Sequence, residues 1–317
     1  MGSVVVKKTV SKLGEAVNHM QAGVVSELSF FNQLHPLTAA CYFIELFTLL
    51  LLFNHILLTA TMFISILAVC SWYFEPRKIR QMVVGSGTLM LMIMVFNLLL
   101  NQTGRHVLWT WQIGSVQFRL TETAIIYGCS MALSLGAMIL TFVLFNGIIT
   151  IPKLSYLLFP VVPRLAMLLT ISLRLVELFI QKMGRLARFQ KNRNVVLTEG
   201  NFHQRLQKMG QLLRIVLIDA VSEAMETAVL MEARGFGAKR RSQYQRFQFQ
   251  MMDGAFLLGS TALFGVLVGR RLEHWGWATN VMTLQWQLPH DWLLAGLLIV
   301  FMALPIIGEG GYRVWTN

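Results

Sequence analysis

The chain has 317 residues, 55% of them hydrophobic and only 13% charged, with 27 Lys and Arg against 15 Asp and Glu. Soluble domains carry about a quarter charged residues, so half that fraction at a mean hydropathy of +0.58 excludes an ordinary water-soluble globule and points to lipid as the solvent. The basic excess gives a formal net charge of +12; in a membrane protein such an excess belongs to cytoplasmic loops, a better fit than nucleic-acid binding.

The first thirty residues are polar and mixed, so no cleavable leader is expected and insertion falls to the spans themselves. A membrane-crossing helix needs about 20 mostly apolar residues. Residues 37–53 and 56–74, separated by Asn54-His55, predict a tight helical hairpin. Residues 82–100 and 123–149 follow; the latter is rich in Gly, Ala and Ser, which permit close packing between helices. Cys41, Cys70 and Cys129 lie inside these runs with no CxxC spacing, and read as small core residues rather than disulfides or metal ligands.

Residues 150–250 differ in character and hold 16 of the 27 basic side chains, from Lys153 to Arg246. Pro160 and Pro163 punctuate their start. Over residues 164–190, Leu168, Ile171, Leu175, Leu178 and Phe179 recur at helical spacing with Arg174, Lys182, Arg185 and Arg188 between them. That is an amphipathic helix, too charged in its second half to cross a bilayer and suited to lie near its surface. Residues 202–234 predict a second, longer helix, weakly interrupted at Gly210 and ended by Gly235-Phe236-Gly237. Two apolar runs close the chain, a short one at 254–269 and another at 291–308.

Six spans place both termini and the 150–250 segment on one face, with 23 Lys and Arg there and four, Arg105, Arg119, Arg270 and Arg271, on the other. The positive-inside rule makes the crowded face cytoplasmic. The expected fold is an all-α integral membrane protein of about six transmembrane helices plus long amphipathic cytoplasmic helices. Its expected parts are a cytoplasmic N-terminal segment 1–35, a four-helix transmembrane bundle 36–149, a cytoplasmic region 150–250 and C-terminal transmembrane helices 251–317.

Signatures of catalysis are missing from the sequence. There is no GxxxxGK[ST] phosphate loop, since Gly85-Ser86-Gly87-Thr88 lacks the lysine, and no HExxH; the histidines are scattered from His19 to His290. No catalytic residue, cofactor or metal site is expected, and the chain alone is not expected to hydrolyse ATP. Glu45 is the one carboxylate deep inside a predicted span. Intramembrane ionisable groups default to a functional hypothesis, so Glu45 is a candidate polar site; without a second intramembrane charge, a hydrogen-bonded carboxyl facing the bundle interior is the simpler reading. At the end of the second amphipathic helix, Asp219, Glu223 and Glu226 line one side, and Ala233-Arg234-Gly235 follows. Arg234 suits a carboxylate in a partner's groove, which its planar fork bonds bidentately. It equally suits an ordinary cationic helix C-terminus.

The string AMETAVLMEARGFG over residues 224–237 resembles the signature of the transmembrane T component of energy-coupling-factor (ECF) transporters, the EcfT/CbiQ-like group that includes the cobalt-transport permease subunit. That family carries two Ala-Arg-Gly-type motifs at the ends of two cytoplasmic coupling helices. Ala233-Arg234-Gly235 matches the second in full. At the first, Phe189-Gln190-Lys191-Asn192-Arg193-Asn194 stands in place of the usual stretch and keeps only the arginine, Arg193. Leu34-His35-Pro36-Leu37-Thr38 is similar to the family's Asp-Pro-Arg-Thr opening, and Arg119-Leu120-Thr121, Thr141 and Ser172-Leu173-Arg174 extend the likeness across most of residues 30–240. The resemblance implies a multi-pass scaffold of a bacterial or archaeal cell (inner) membrane, with both termini cytoplasmic. Two ATP-binding-cassette ATPase subunits, alike or different, would grip Arg193, Ala233, Arg234 and Gly235, and a small substrate-binding membrane (S) subunit would pack on the coupling helices. The complex would import vitamins or transition-metal ions.

The alternative from another class is a self-sufficient secondary transporter or channel, which requires a polar pathway or inverted repeats with broken helices; one buried Glu45 and no matching halves argue against it. A membrane anchor binding RNA is weaker still, because the basic helices lack an aromatic stacking platform.

Overall fold

The structure, a computed structural model, describes residues 34–101, 107–113, 116–192, 202–235, 248–276 and 290–316. It is helical apart from one two-stranded hairpin. In chain order the elements are α1 (Pro36–Leu52), α2 (Ile56–Tyr73), α3 (Pro76–Leu100), β1 (Val107–Ile113), β2 (Val116–Thr121), α4 (Glu122–Ile148), α5 (Ile151–Leu158), α6 (Pro163–Asn192), α7 (Phe202–Ala233), α8 (Met251–Leu272) and α9 (Asp291–Thr316). Five of them are long and apolar enough to cross a membrane, namely α2, α3, α4, α8 and most of α9, and α1 is an apolar helix of 17 residues. This is an all-α membrane protein.

The described residues form two compact units, one within residues 34–149 and 248–316 and one within residues 150–235. In the first, an aromatic and aliphatic core joins α1, α2, α4, α8 and α9 through fully buried Phe43, Leu49, Leu58, Met62, Ala137, Leu267, Leu298 and Phe301. The Tyr42 ring stacks on Phe301 at 5.4 Å and leans on Phe256 at 5.5 Å. Close approach is built in at Gly136 of α4, where a Cβ would stand 2.5 Å from Met90 Sδ and 3.0 Å from Phe63 Cε2. The outward faces are as apolar as the core, with Ile44, Leu51, Ile64, Leu91 and Leu100 each more than 60% exposed. Hydrocarbon solvates such a surface at no penalty.

Contacts along the helices fix their relative directions. His35, which caps α1, donates its backbone N–H to Asp253 Oδ1 at 2.7 Å near the start of α8, and further along Thr261 of α8 donates to Glu45 Oε1 at 2.9 Å. The two helices therefore run parallel. Helix α4 runs against α1: Ser130 donates to the Asn54 carbonyl at 2.7 Å, and Phe145 meets Phe43 at 5.4 Å. Residue 149, where the chain leaves the bundle, and residue 250, where it returns, thus lie at the same end as His35. The opposite end carries the β1–β2 hairpin, antiparallel with Trp109 across from Leu120 and a register shift between Val107 and Trp109. Near that end Arg270 covers the Trp275 ring at 4.6 Å and Trp275 stacks on His290 at 4.3 Å, the aromatic and basic mixture favoured at a membrane interface.

Candidate functional site

The unit within residues 150–235 begins with α5, turns through residues 159–162, and enters α6 with Pro163 at its first position, where a missing N–H costs nothing. Lys153 of α5 is buried, and that burial lowers its pKa to about 8. Helices α6 and α7 reproduce the expected amphipathic pair, and α7 continues through Gly210 without a break. Ile218, Val221, Met225 and Val229, spaced three, four and four residues apart on α7, are all exposed. Exposed Leu165, Leu168 and Ile171 do the same on α6. Continuous apolar stripes of this kind mark surfaces for a partner or for lipid.

At the end of α7 the sequence alone decides the geometry. The Arg234 N–H still donates to the Leu230 carbonyl at 3.1 Å, while the Gly235 N–H turns to the Glu232 carbonyl at 2.9 Å. Gly235 adopts φ +70°, left-handed backbone that glycine enters without a Cβ penalty. The turn leaves Ala233, Arg234 and Gly235 exposed, and among the described residues Arg234 makes no ion pair. Arg193 lies outside the described residues; it follows directly on Asn192, the last residue of α6.

Between the two helices sits a contact with no sequence flag of its own. Lys182 of α6 reaches Asp219 Oδ2 at 2.8 Å and Glu223 Oε2 at 2.5 Å on α7. The hydrogen bonds that Lys182 donates to Asp219 and Glu223 raise its pKa above the ordinary value. Asp219 and Glu223 therefore turn toward Lys182 of α6, while Glu226 stays exposed.

In the bundle, Glu45 is buried and takes its hydrogen bond from Thr261, as the simpler reading expects, with Oε2 unpartnered among the described residues. It is not the one buried carboxylate of the bundle. Asp253 accepts from the His35 and Gln250 N–H groups and completes a capping box at the start of α8. Glu309 accepts from Trp72 Nε1 at 3.3 Å, because α9 runs on past the apolar stretch and through Pro305 to Thr316. Residues 254–269 and 291–308 under-read both helices, since apolar counting stops at the first charge. No group of three or more metal-ligating side chains comes together among the described residues.

Comparison with known proteins points the same way as the exposed Ala-Arg-Gly terminus. The chain is 26% identical over 240 residues to the energy-coupling factor transporter transmembrane protein EcfT of Staphylococcus aureus, covering 71% of this chain and 87% of that one. It is 32% identical over 107 residues to the EcfT of Listeria innocua, a match spanning 33% of this chain and 40% of that relative. The EcfT of Acidaminococcus fermentans is 29% identical over 182 residues, 54% of this chain and 65% of that one. Residues 29–245, well over half of the chain, match the family model CbiQ, cobalt transport protein. With its apolar bundle and its pair of long amphipathic helices, the chain belongs to the CbiQ cobalt transport protein family, the transmembrane components of energy-coupling-factor transporters.

Proposed function

We propose that the protein is the coupling scaffold of an ATP-driven importer for vitamins or transition-metal ions. It carries the conformational change of two ATP-binding-cassette ATPases to a separate substrate-binding membrane subunit. The observation that carries this reading is the exposed Ala233-Arg234-Gly235 terminus of α7, an arginine without an ion pair among the described residues at the tip of a 32-residue helix. An exposed guanidinium beside a small residue and a left-handed glycine fits a carboxylate-lined groove, with Arg193, next in sequence after Asn192, as its counterpart. The apolar stripes of α6 and α7 suit the substrate-binding subunit. The charge split supports a cytoplasmic location for residues 150–250 and both termini, in a bacterial or archaeal inner membrane.

The test is Arg234→Glu, read as co-purification of the ATPases from membranes. Truncating a buried interfacial charge pair costs about 2–5 kcal/mol, and reversal adds repulsion, so binding should weaken by about 30-fold or more. A mere helix-terminus charge is worth about 0.3–1 kcal/mol. Normal ATPase yield with Arg234→Glu would end the assignment, and Lys239→Glu should be tolerated.

A further inference from the structure

The β1–β2 hairpin sorts its residues by chemistry. Gly114 and Ser115 separate the paired Ile113 and Val116. Counting back from that pair, the ladder sets Trp111 opposite Phe118 and Trp109 opposite Leu120, while Thr110 meets Arg119 and Gln112 meets Gln117. Apolar positions thus pair with apolar ones and polar with polar. Successive residues of a strand fall on opposite faces of its sheet, so the ribbon has one apolar, tryptophan-rich face and one polar face with a single charge. The register shift lies at the base, between Val107 and Trp109, and leaves the sorting unbroken to the tip.

Near the base both faces are open. Trp109 is 71% exposed, and Thr110, its neighbour on the other face, is exposed too. A lone two-stranded hairpin is marginal in water and needs its apolar face packed. The place of the ribbon in the fold decides what packs there. Strand β2 ends at Thr121, whose hydroxyl accepts from the Ala124 N–H at 3.3 Å and caps α4, so no linker separates the ribbon from a membrane-spanning helix. Leu120 and its partner Trp109 therefore stand at the level where the α4 span begins. Strand β2 also lies against α3, whose last turns expose Phe96, Leu99 and Leu100, a surface suited to lipid. Among the described residues each strand has a single neighbour, and open sheet edges are not tolerated in hydrocarbon. The headgroup boundary, where tryptophan is enriched, suits the apolar face, the polar face and both edges at once.

We propose that the β1–β2 ribbon is an interfacial anchor: its face of Trp109, Trp111 and Ile113 rests on the phospholipid headgroup boundary at the end of the bundle opposite His35, with Thr110, Gln112, Gln117 and Arg119 turned to water. The anchor holds the adjoining ends of α3 and α4 at a fixed depth in the bilayer. It is independent of the ATPase-coupling reading, since it concerns only the membrane unit.

The experiment uses the full chain carrying Cys41→Ala, Cys70→Ala and Cys129→Ala, reconstituted in vesicles of phosphatidylethanolamine and phosphatidylglycerol. A nitroxide is attached in turn at Ile113→Cys and Val116→Cys on the apolar face and at Gln112→Cys and Gln117→Cys on the polar face. Its collision rate is measured with oxygen, which partitions into lipid, and with a water-soluble nickel chelate. Oxygen should dominate at Ile113→Cys and Val116→Cys and nickel at Gln112→Cys and Gln117→Cys, reversing between chain neighbours. Nickel dominating at all four sites would overturn the anchor, because the apolar face would stand in water. Exclusion of both reagents from the two apolar-face sites would overturn it as well, because protein, a second copy or a partner subunit, would then cover that face. A second measurement keeps the native cysteines. The tryptophan emission of a Trp109→Phe, Trp111→Phe chain is subtracted from that of the parent in the same vesicles. The difference signal should be quenched by phospholipid brominated along its acyl chains and resist aqueous iodide; quenching by iodide alone would refute the proposal.

Discussion

Removing the Asp253 carboxylate should loosen the bundle at the joint between α1 and α8. Asp253 is 2% exposed and accepts two backbone N–H bonds, from His35 at 2.7 Å and Gln250 at 2.8 Å. Hydrogen bonds to a charged group are worth about 1.5–3 kcal/mol each, and stranding a buried donor carries its own desolvation penalty of about 1–3 kcal/mol. Part of the lost cap at Gln250 is recovered by solvent or local carbonyls, so a net loss of about 3 kcal/mol is expected for Asp253→Ala. At roughly 2–4 °C per kcal/mol for a domain of this size, that is about 6–12 °C in melting temperature. Asp253→Asn keeps one acceptor oxygen and should lose about half as much. The assay is thermal unfolding in detergent, followed by a thiol-reactive fluorophore at Cys70, which is 1% exposed in the folded bundle. An Asp253→Ala protein that melts within about 2 °C of the parent would refute the reasoning, since even 1 kcal/mol should move it that far.

Overpacking at the α2–α3–α4 approach is the second prediction: Gly136→Ala should destabilise by about 1–3 kcal/mol, and Met90→Ala in the same chain should recover part of it, both read by the same melting assay. The buried Lys153 supplies a pH dependence. Its folded pKa of about 8 lies below the reference 10.5, so the folded state resists the charged form; the penalty is full below pH 8 and vanishes as pH rises toward 10.5. Relative to Lys153→Met, the parent should therefore gain stability across that window, and a constant difference in melting temperature would contradict it. For topology, single cysteines at Arg105 and Lys239 should differ in whole cells: an impermeant maleimide is expected to label the first and spare the second, and labelling at Lys239 would invert the orientation.

Helical period alone was enough to place α6 and α7 to within a few residues, because each alternates apolar and charged positions over seven or more turns. Glu45 was visible because a carboxylate among leucines stands out, but its partner Thr261 was not. A threonine in a span is unremarkable until α8 is laid beside α1, and the two bonded residues are 216 apart in the chain. Asp253 and Lys182 were hidden for the same reason: each is an ordinary charge near a helix end or on an amphipathic face, and only tertiary packing supplies its partners. The hairpin is a different case. The reading of apolar runs passed over it, although Val107, Trp109 and Trp111 alternate with Thr110 and Gln112, and Gly114-Ser115 separates them from Val116 and Phe118, a period-two pattern that points to paired strands. The Ala233-Arg234-Gly235 terminus was legible down to its backbone, since only the glycine accommodates the left-handed turn.

The parallel pairing of α1 with α8 has a consequence for how the protein is made. His35 and Asp253 are separated by 218 positions, and the whole of the 150–250 segment is synthesised between them. At about 5–20 residues per second, the α8-facing side of α1, with Glu45 on it, waits roughly 10–40 s after its own synthesis before its partner leaves the ribosome. During that interval Glu45 has no Thr261 and the N–H of His35 has no Asp253, so the first four spans form an incomplete bundle with a polar seam turned to lipid or to the insertion machinery. Final assembly of the membrane unit is thereby timed to follow completion of α6 and α7, and a chain interrupted before residue 250 leaves that seam unclosed.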